Sequence, residues 1–171
     1  MTNHHEQEPK KADNQESDMQ EMIEKIKQTD YYMNLQGVQR FVAGKKVLNT
    51  STGNAGFILY LSGDSWAAAY RERDSIGSSF GNGQPTNQIQ ALISSKKYGD
   101  ASEPLSDNII YANEYVNIEL EVKKCHGATI KGLAFGFDTF NYVFENGREL
   151  DFKLVNDKNG VPAVRVFWEQ W

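Results

Sequence analysis

An all-β fold, an antiparallel β-sandwich preceded by a short N-terminal helix, is predicted by three features of the 171-residue sequence. Short runs alternate apolar and polar side chains at period two. Turn-forming Gly, Asn, Asp and Pro stand between those runs. The length and the 39% hydrophobic content suit one buried core better than two. Residues 1–30 read as a tail and linker helix, and residues 31–171 as the sandwich domain.

Composition narrows the partners. A formal net charge of -5 and a pI near 5.2 leave no global positive field for a nucleic-acid backbone or an anionic membrane. Cys125 is the only cysteine, so no intramolecular disulfide can form, which fits a reducing compartment. No run approaches the ~18 apolar residues of a membrane span, and residues 1–30 lack the apolar stretch of a secretion signal. A soluble chain is expected.

In chain order, residues 1–16 are almost wholly polar and are expected to be a solvated tail, with His4-His5 too poor in partners for a metal site. Ser17 and Gln20 have capping-box spacing, and Met19, Met22, Ile23 and Ile26 follow at helical intervals, which predicts a helix over roughly residues 18–28. From about Tyr31 onward strands are expected. Phe57 to Leu61 reads as a buried strand ending in the turn Ser62-Gly63-Asp64. Residues 65–73 read as a second strand despite three consecutive alanines. Residues 74–88, rich in Gly, Ser and Asn, read as a loop.

Strand alternation returns at Asn87 to Ile93 and is cleanest at Val116 to Lys123. There Val116, Ile118, Leu120 and Val122 would share one face. In residues 131–140, Leu133, Phe135 and Phe137 oppose Gly132, Ala134 and Gly136, as in a strand facing a second layer. Asn146-Gly147 predicts a hairpin joining Tyr142–Glu145 to Leu150–Val155. Asn159-Gly160-Val161-Pro162 is a further turn, and Val164, Val166 and Trp168 pattern the last strand.

The chemistry is sparse. There is no phosphate-binding, dinucleotide, GxSxG or HExxH motif, so the chain carries no standard catalytic signature and calls for no cofactor. Two stretches match a carboxylate followed by [DE]xK, the pattern of metal-dependent nucleases. They are Asp107 with Glu121 and Lys123, and Asp138 with Asp151 and Lys153. Any outward strand face with alternating acid and lysine produces the same pattern, so solvated faces are the simpler reading. Cys125-His126 reads as a turn with an inert thiol. Trp66, Tyr70, Arg71, Arg73 and Asp64 combine flat apolar rings, planar guanidinium groups and a carboxylate, which is the chemistry that holds sugars. The competing reading places Trp66 and Tyr70 in the core.

The stretch from Phe80 to Gly147 contains, in order, the turn Phe80-Gly81-Asn82-Gly83 and Gln88-Ile89-Gln90-Ala91. Asn113-Glu114-Tyr115-Val116-Asn117-Ile118-Glu119-Leu120, Phe135-Gly136-Phe137 and Val143-Phe144-Glu145-Asn146-Gly147 follow. This order resembles the C-terminal carbohydrate-binding domain of the ATPase subunit of ABC exporters for O-antigen polysaccharide, the Wzt-like family. The resemblance implies an immunoglobulin-like sandwich that binds the modified non-reducing end of a finished polysaccharide without catalysis. It further implies a homodimer with terminal-strand exchange, a cytoplasmic position at the inner membrane, and a transmembrane transporter subunit reached through an ATPase domain that this chain lacks. The matching residues are framework, so the sugar-contact assignment rests on side-chain chemistry alone. A protein-binding module of the immunity or adaptor kind is the competing expectation, and a metal-dependent nuclease the remote one.

Overall fold

The computed structural model describes residues 17–22, 30–98, 117–135, 139–157 and 159–170. The chain divides into two compact units, Met1–Gly37 and Val38–Trp171. In the first, residues 17–22 form helix α1, with Met19 and Met22 exposed. The helix expected over residues 18–28 thus begins as read, and residues 23–28 lie outside the described residues. Helix α2, Asp30–Val42, replaces the strands expected from Tyr31. Leu35, Val38 and Val42 recur at three and four residues, a helical period that strand alternation cannot produce.

The second unit holds eight described strands in two antiparallel sheets. Strands β1 (Val47–Gly53), β2 (Gly56–Leu61), β3 (Ser65–Glu72) and β4 (Ser75–Asn82) form sheet 1. Strands β5 (Ile130–Phe135), β6 (Thr139–Phe144), β7 (Arg148–Asn156) and β8 (Pro162–Gln170) form sheet 2. The helices α3 (Asn87–Ile93) and α4 (Ile118–Lys123) lie between the sheets in sequence. The all-β expectation holds. Each strand pairs with its neighbours in sequence, so both sheets are meanders, whereas immunoglobulin domains exchange strands between sheets in Greek-key order. The C-terminal strand β8 pairs within the chain, along β7 from Asn156↔Pro162 to Arg148↔Gln170.

The inner faces meet through aromatic side chains. Phe57 of β2 touches Tyr142 of β6 and Phe152 of β7 at centroid distances of 6.0 and 5.9 Å, and all three are buried. Burial of each such ring contributes about 1.5–3 kcal/mol. One edge is stitched by the backbone, since Gly44 N–H donates to Ile130 O, Ile130 N–H to Lys45 O and Val47 N–H to Ala128 O. The opposite end is clamped by Arg71 of β3, whose Nη1 donates to Val155 O at 2.9 Å and Ala163 O at 2.8 Å.

The outer face of sheet 1 is covered by α3. Ile58, Trp66, Ala68 and Tyr70 form one cluster with Ile89 and Ile93 of that helix. Trp66 and Tyr70 lie opposite Gly81 and Gly77 of β4. A Cβ at Gly77 would fall 2.3 Å from the Tyr70 ring, and one at Gly81 3.1 Å from the Trp66 ring. Residues 75–82 therefore form a strand and not the expected loop. Their glycines and serines are small because the rings of β3 lie across them.

Two further expectations are corrected. Asn87 to Ile93 is helical, with Thr86 Oγ1 accepting from Ile89 N–H at 3.3 Å as the N-cap. Residues 118–123 are helical too, with Asn117 Oδ1 accepting from Leu120 N–H at 3.1 Å. Ile118 and Val122 are four apart, a spacing that satisfies both a strand and a helix. Leu120 decides between them: it shares their face in a strand, but on α4 it is 60% exposed.

Candidate ligand-binding site

The outer face of sheet 2 is built differently. The three-residue turn Glu145-Asn146-Gly147 sets the β6–β7 register, placing Asn141 opposite Asp151 and Thr139 opposite Lys153. Because Phe140, Tyr142, Leu150 and Phe152 point inward and are buried, alternation turns Thr139, Asn141, Asp151 and Lys153 outward. Strand β8 adds Arg165, opposite Lys153, and Glu169, opposite Glu149. Ala134, Phe135, Thr139, Asn141, Asp151, Lys153 and Glu169 line a pocket of about 300 Å³ on this face.

Its polar groups are unusually enclosed. Asp151 is only 4% exposed, and its Oδ2 stands 3.6 Å from Lys153 Nζ. Arg165, also 4% exposed, places Nη2 4.0 Å from Glu169 Oε1 and stacks its guanidinium 4.0 Å from the Phe167 ring centre. Asn141 Nδ2 donates to Glu149 Oε1 at 3.2 Å. Among the described residues, nothing donates to Asn141 Oδ1 or to Asp151 Oδ1. Burial raises the Glu169 carboxyl above its ordinary value. The neighbouring Asp151 carboxylate, which is within hydrogen-bonding reach, raises it further against the lowering influence of Arg165 and Lys153. Three acids, Glu149, Asp151 and Glu169, thus gather with two cations, Lys153 and Arg165, on this face.

The residues expected to hold sugar lie elsewhere and do not converge. Trp66, Tyr70 and Arg71 are buried at 5, 6 and 6% exposure, so neither ring offers a face for stacking. The Tyr70 hydroxyl meets Ser79 Oγ at 2.8 Å. Beyond its two carbonyls on sheet 2, Arg71 donates from Nε to Arg73 O at 2.7 Å, so its guanidinium is committed to the backbone. Asp64 and Arg73 are exposed turn residues with φ of 52° and 58°. They stand at opposite ends of β3, roughly 30 Å apart at the rise of an extended strand.

The other candidates separate in the same way. Glu121 and Lys123 lie on α4, where Glu121 pairs with Lys124, and Lys123 with Glu119 at 2.8 Å. Asp107 and Asp138 lie outside the described residues. Among the described residues no group of three His, Cys, Asp or Glu side chains is placed to hold a metal ion. Cys125 is buried, which pushes its thiol up to about 12, far from a thiolate nucleophile at neutral pH. His126 Nε2 lies 2.7 Å from Thr50 Oγ1. No helix among the described residues is long and apolar enough to cross a membrane. No family model, curated protein or solved structure matches the chain, so its own geometry must carry the functional reading.

Proposed function

We propose that the domain binds a glycan without catalysis, seating one sugar residue in the pocket on the outer face of sheet 2. The observation that carries the reading is the pocket itself, which sets the polar side chains of Asn141, Asp151 and Glu169 beside an apolar wall on one sheet face. Lys153 supplies a donor beside them, and Ala134 with Phe135 supplies an apolar wall suited to the C–H face of a pyranose. A volume of about 300 Å³ sits at the small end of ligand pockets and suits a single terminal residue better than a long chain segment.

Binding fits the two carboxyls better than hydrolysis does. Asp151 and Glu169 are within hydrogen-bonding reach of each other, whereas glycosidases hold their acids ~5 Å or more apart to admit the sugar between them. The test is a calorimetric titration against a panel of glycans that includes intact O-antigen polysaccharides, the ligands implied by the resemblance. Saturable binding that Asp151→Ala weakens roughly 10- to 100-fold, at unchanged melting temperature, supports the reading. No binding across the panel removes it and favours a protein partner.

A further inference from the structure

Building on the glycan-binding reading, we infer that the pocket selects a sugar residue bearing an acetamido group, with its methyl against Ala134, its carbonyl oxygen accepting from Lys153 Nζ and its amide N–H turned to the Thr139 hydroxyl. The groups that a ligand can touch decide this. Asp151 is buried, whereas Ala134 is exposed, Phe135 and Thr139 are half-buried, and the Lys153 side chain is 41% exposed. The accessible lining therefore offers a small apolar side chain, a hydroxyl and an ammonium donor. An acetamide answers each of them, with a methyl, an N–H and a carbonyl oxygen held in one plane.

Sheet geometry sets the spacing. Ala134 stands opposite Asn141, and Asn141 opposite Asp151, so the three form one row across β5, β6 and β7. Strands ~4.8 Å apart put Ala134 and Asp151 roughly 10 Å from each other. Lys153 Nζ is held 3.6 Å from Asp151 Oδ2, at the β7 end of that row. A methyl contact of ~4 Å, the ~2.4 Å from methyl carbon to oxygen in an acetyl group and a hydrogen bond of ~2.9 Å together bridge that gap. A hydroxyl in the same place reaches the ammonium or Ala134, but not both. The amide N–H points away from its carbonyl, back toward β5 and β6, where Thr139 lines the pocket with a hydroxyl that can accept. Phe135 keeps the C–H face of the ring. Asp151 is a positioning residue in this arrangement, since it fixes the ammonium and does not itself touch the sugar.

The test uses the purified full chain and the methyl glycosides of N-acetylglucosamine and N-acetylgalactosamine, with the N-formyl and 2-hydroxy counterparts of each. Binding is followed by calorimetry and by NMR shifts of the Ala134 methyl. The expected order puts the acetamido sugar first, the N-formyl sugar roughly 3- to 5-fold weaker for loss of the methyl, and the 2-hydroxy sugar roughly 10-fold or more weaker. Lys153→Met should erase most of the preference for acetamido over hydroxy. Ala134→Gln fills the wall from an exposed position and should erase it at an unchanged thermal midpoint. If Lys153→Met fails to fold because Asp151 has lost its cation, Ala134→Gln carries the test. If the hydroxy sugars bind as tightly as the acetamido ones, or if either folded variant keeps the preference, the inference is overturned and the glycan reading survives. If no glycoside and no glycan of the wider panel binds, both are overturned.

Discussion

The two outer sheet faces of this domain differ in what the chain has done with its polar and aromatic residues. Sheet 1 carries the large rings, Trp66 and Tyr70, and then closes over them with α3 and lays Gly77 and Gly81 beneath them. Sheet 2 instead lines a pocket with Asn141, Asp151, Lys153 and Glu169. Ring content alone therefore does not mark a binding face. Rings are as useful to a core as to a sugar, whereas polar side chains gathered around a pocket have no such packing role.

Substitutions on the two faces should sharpen the contrast, with the largest effects on sheet 1. Trp66→Ala removes a ring that is 5% exposed and should destabilise the domain by about 3–5 kcal/mol, read as a large fall in thermal midpoint. A fall of less than about 1 kcal/mol would move Trp66 out of the core and reopen that face as a binding surface. Gly77→Ala should cost about 1–3 kcal/mol, because its Cβ would meet the Tyr70 ring at 2.3 Å. A tolerated alanine in denaturant melts would show that the ring does not lie across the strand. Asn117→Ala, which removes the cap of α4, should cost about 1 kcal/mol and leave ligand binding intact.

The smallest predicted effect belongs to sheet 2 and is one of pH. Glu169 has a raised folded-state value, so the folded domain holds that proton at pH values where the unfolded chain has already released it. Stability should therefore decline as pH rises from the ordinary glutamate range through the raised value, the opposite of the usual carboxylate trend. Glu169→Gln should flatten that decline in thermal melts recorded between pH 4 and 7. An unchanged slope would separate Glu169 from Asp151.

Much of the strand framework was legible because local turn chemistry fixed it. Ser62-Gly63-Asp64 sets a hairpin whose register follows by counting. Asn146-Gly147 marks the second hairpin, but as a two-residue turn it would set Asn141 against Phe152; the turn takes in Glu145 as well, which moves the partner to Asp151. The helices were misread because Ile89 with Ile93, and Ile118 with Val122, sit four apart, where period two and period 3.6 agree. Thr86 and Asn117 were the signals that could have separated them, as N-caps followed three residues later by Ile89 and Leu120. Strand β4 was hidden because its small residues answer rings on another strand, information that no local window contains. Of the site, Asp151 and Lys153 were visible only as an alternating acid-lysine face. Asn141 and Glu169 join them through sheet pairing, and enclosure of the acceptors is a property of the folded surface.

A single titration addresses the central claim, that ligand recognition resides on sheet 2 and not on sheet 1. Wild type, Asp151→Ala and the volume-sparing Trp66→Phe would be titrated with whichever glycan of the panel binds. The geometry predicts that Asp151→Ala loses roughly 10-fold or more in affinity at unchanged melting temperature, while Trp66→Phe binds as wild type despite a lower one. Full affinity in Asp151→Ala together with lost affinity in folded Trp66→Phe would contradict it.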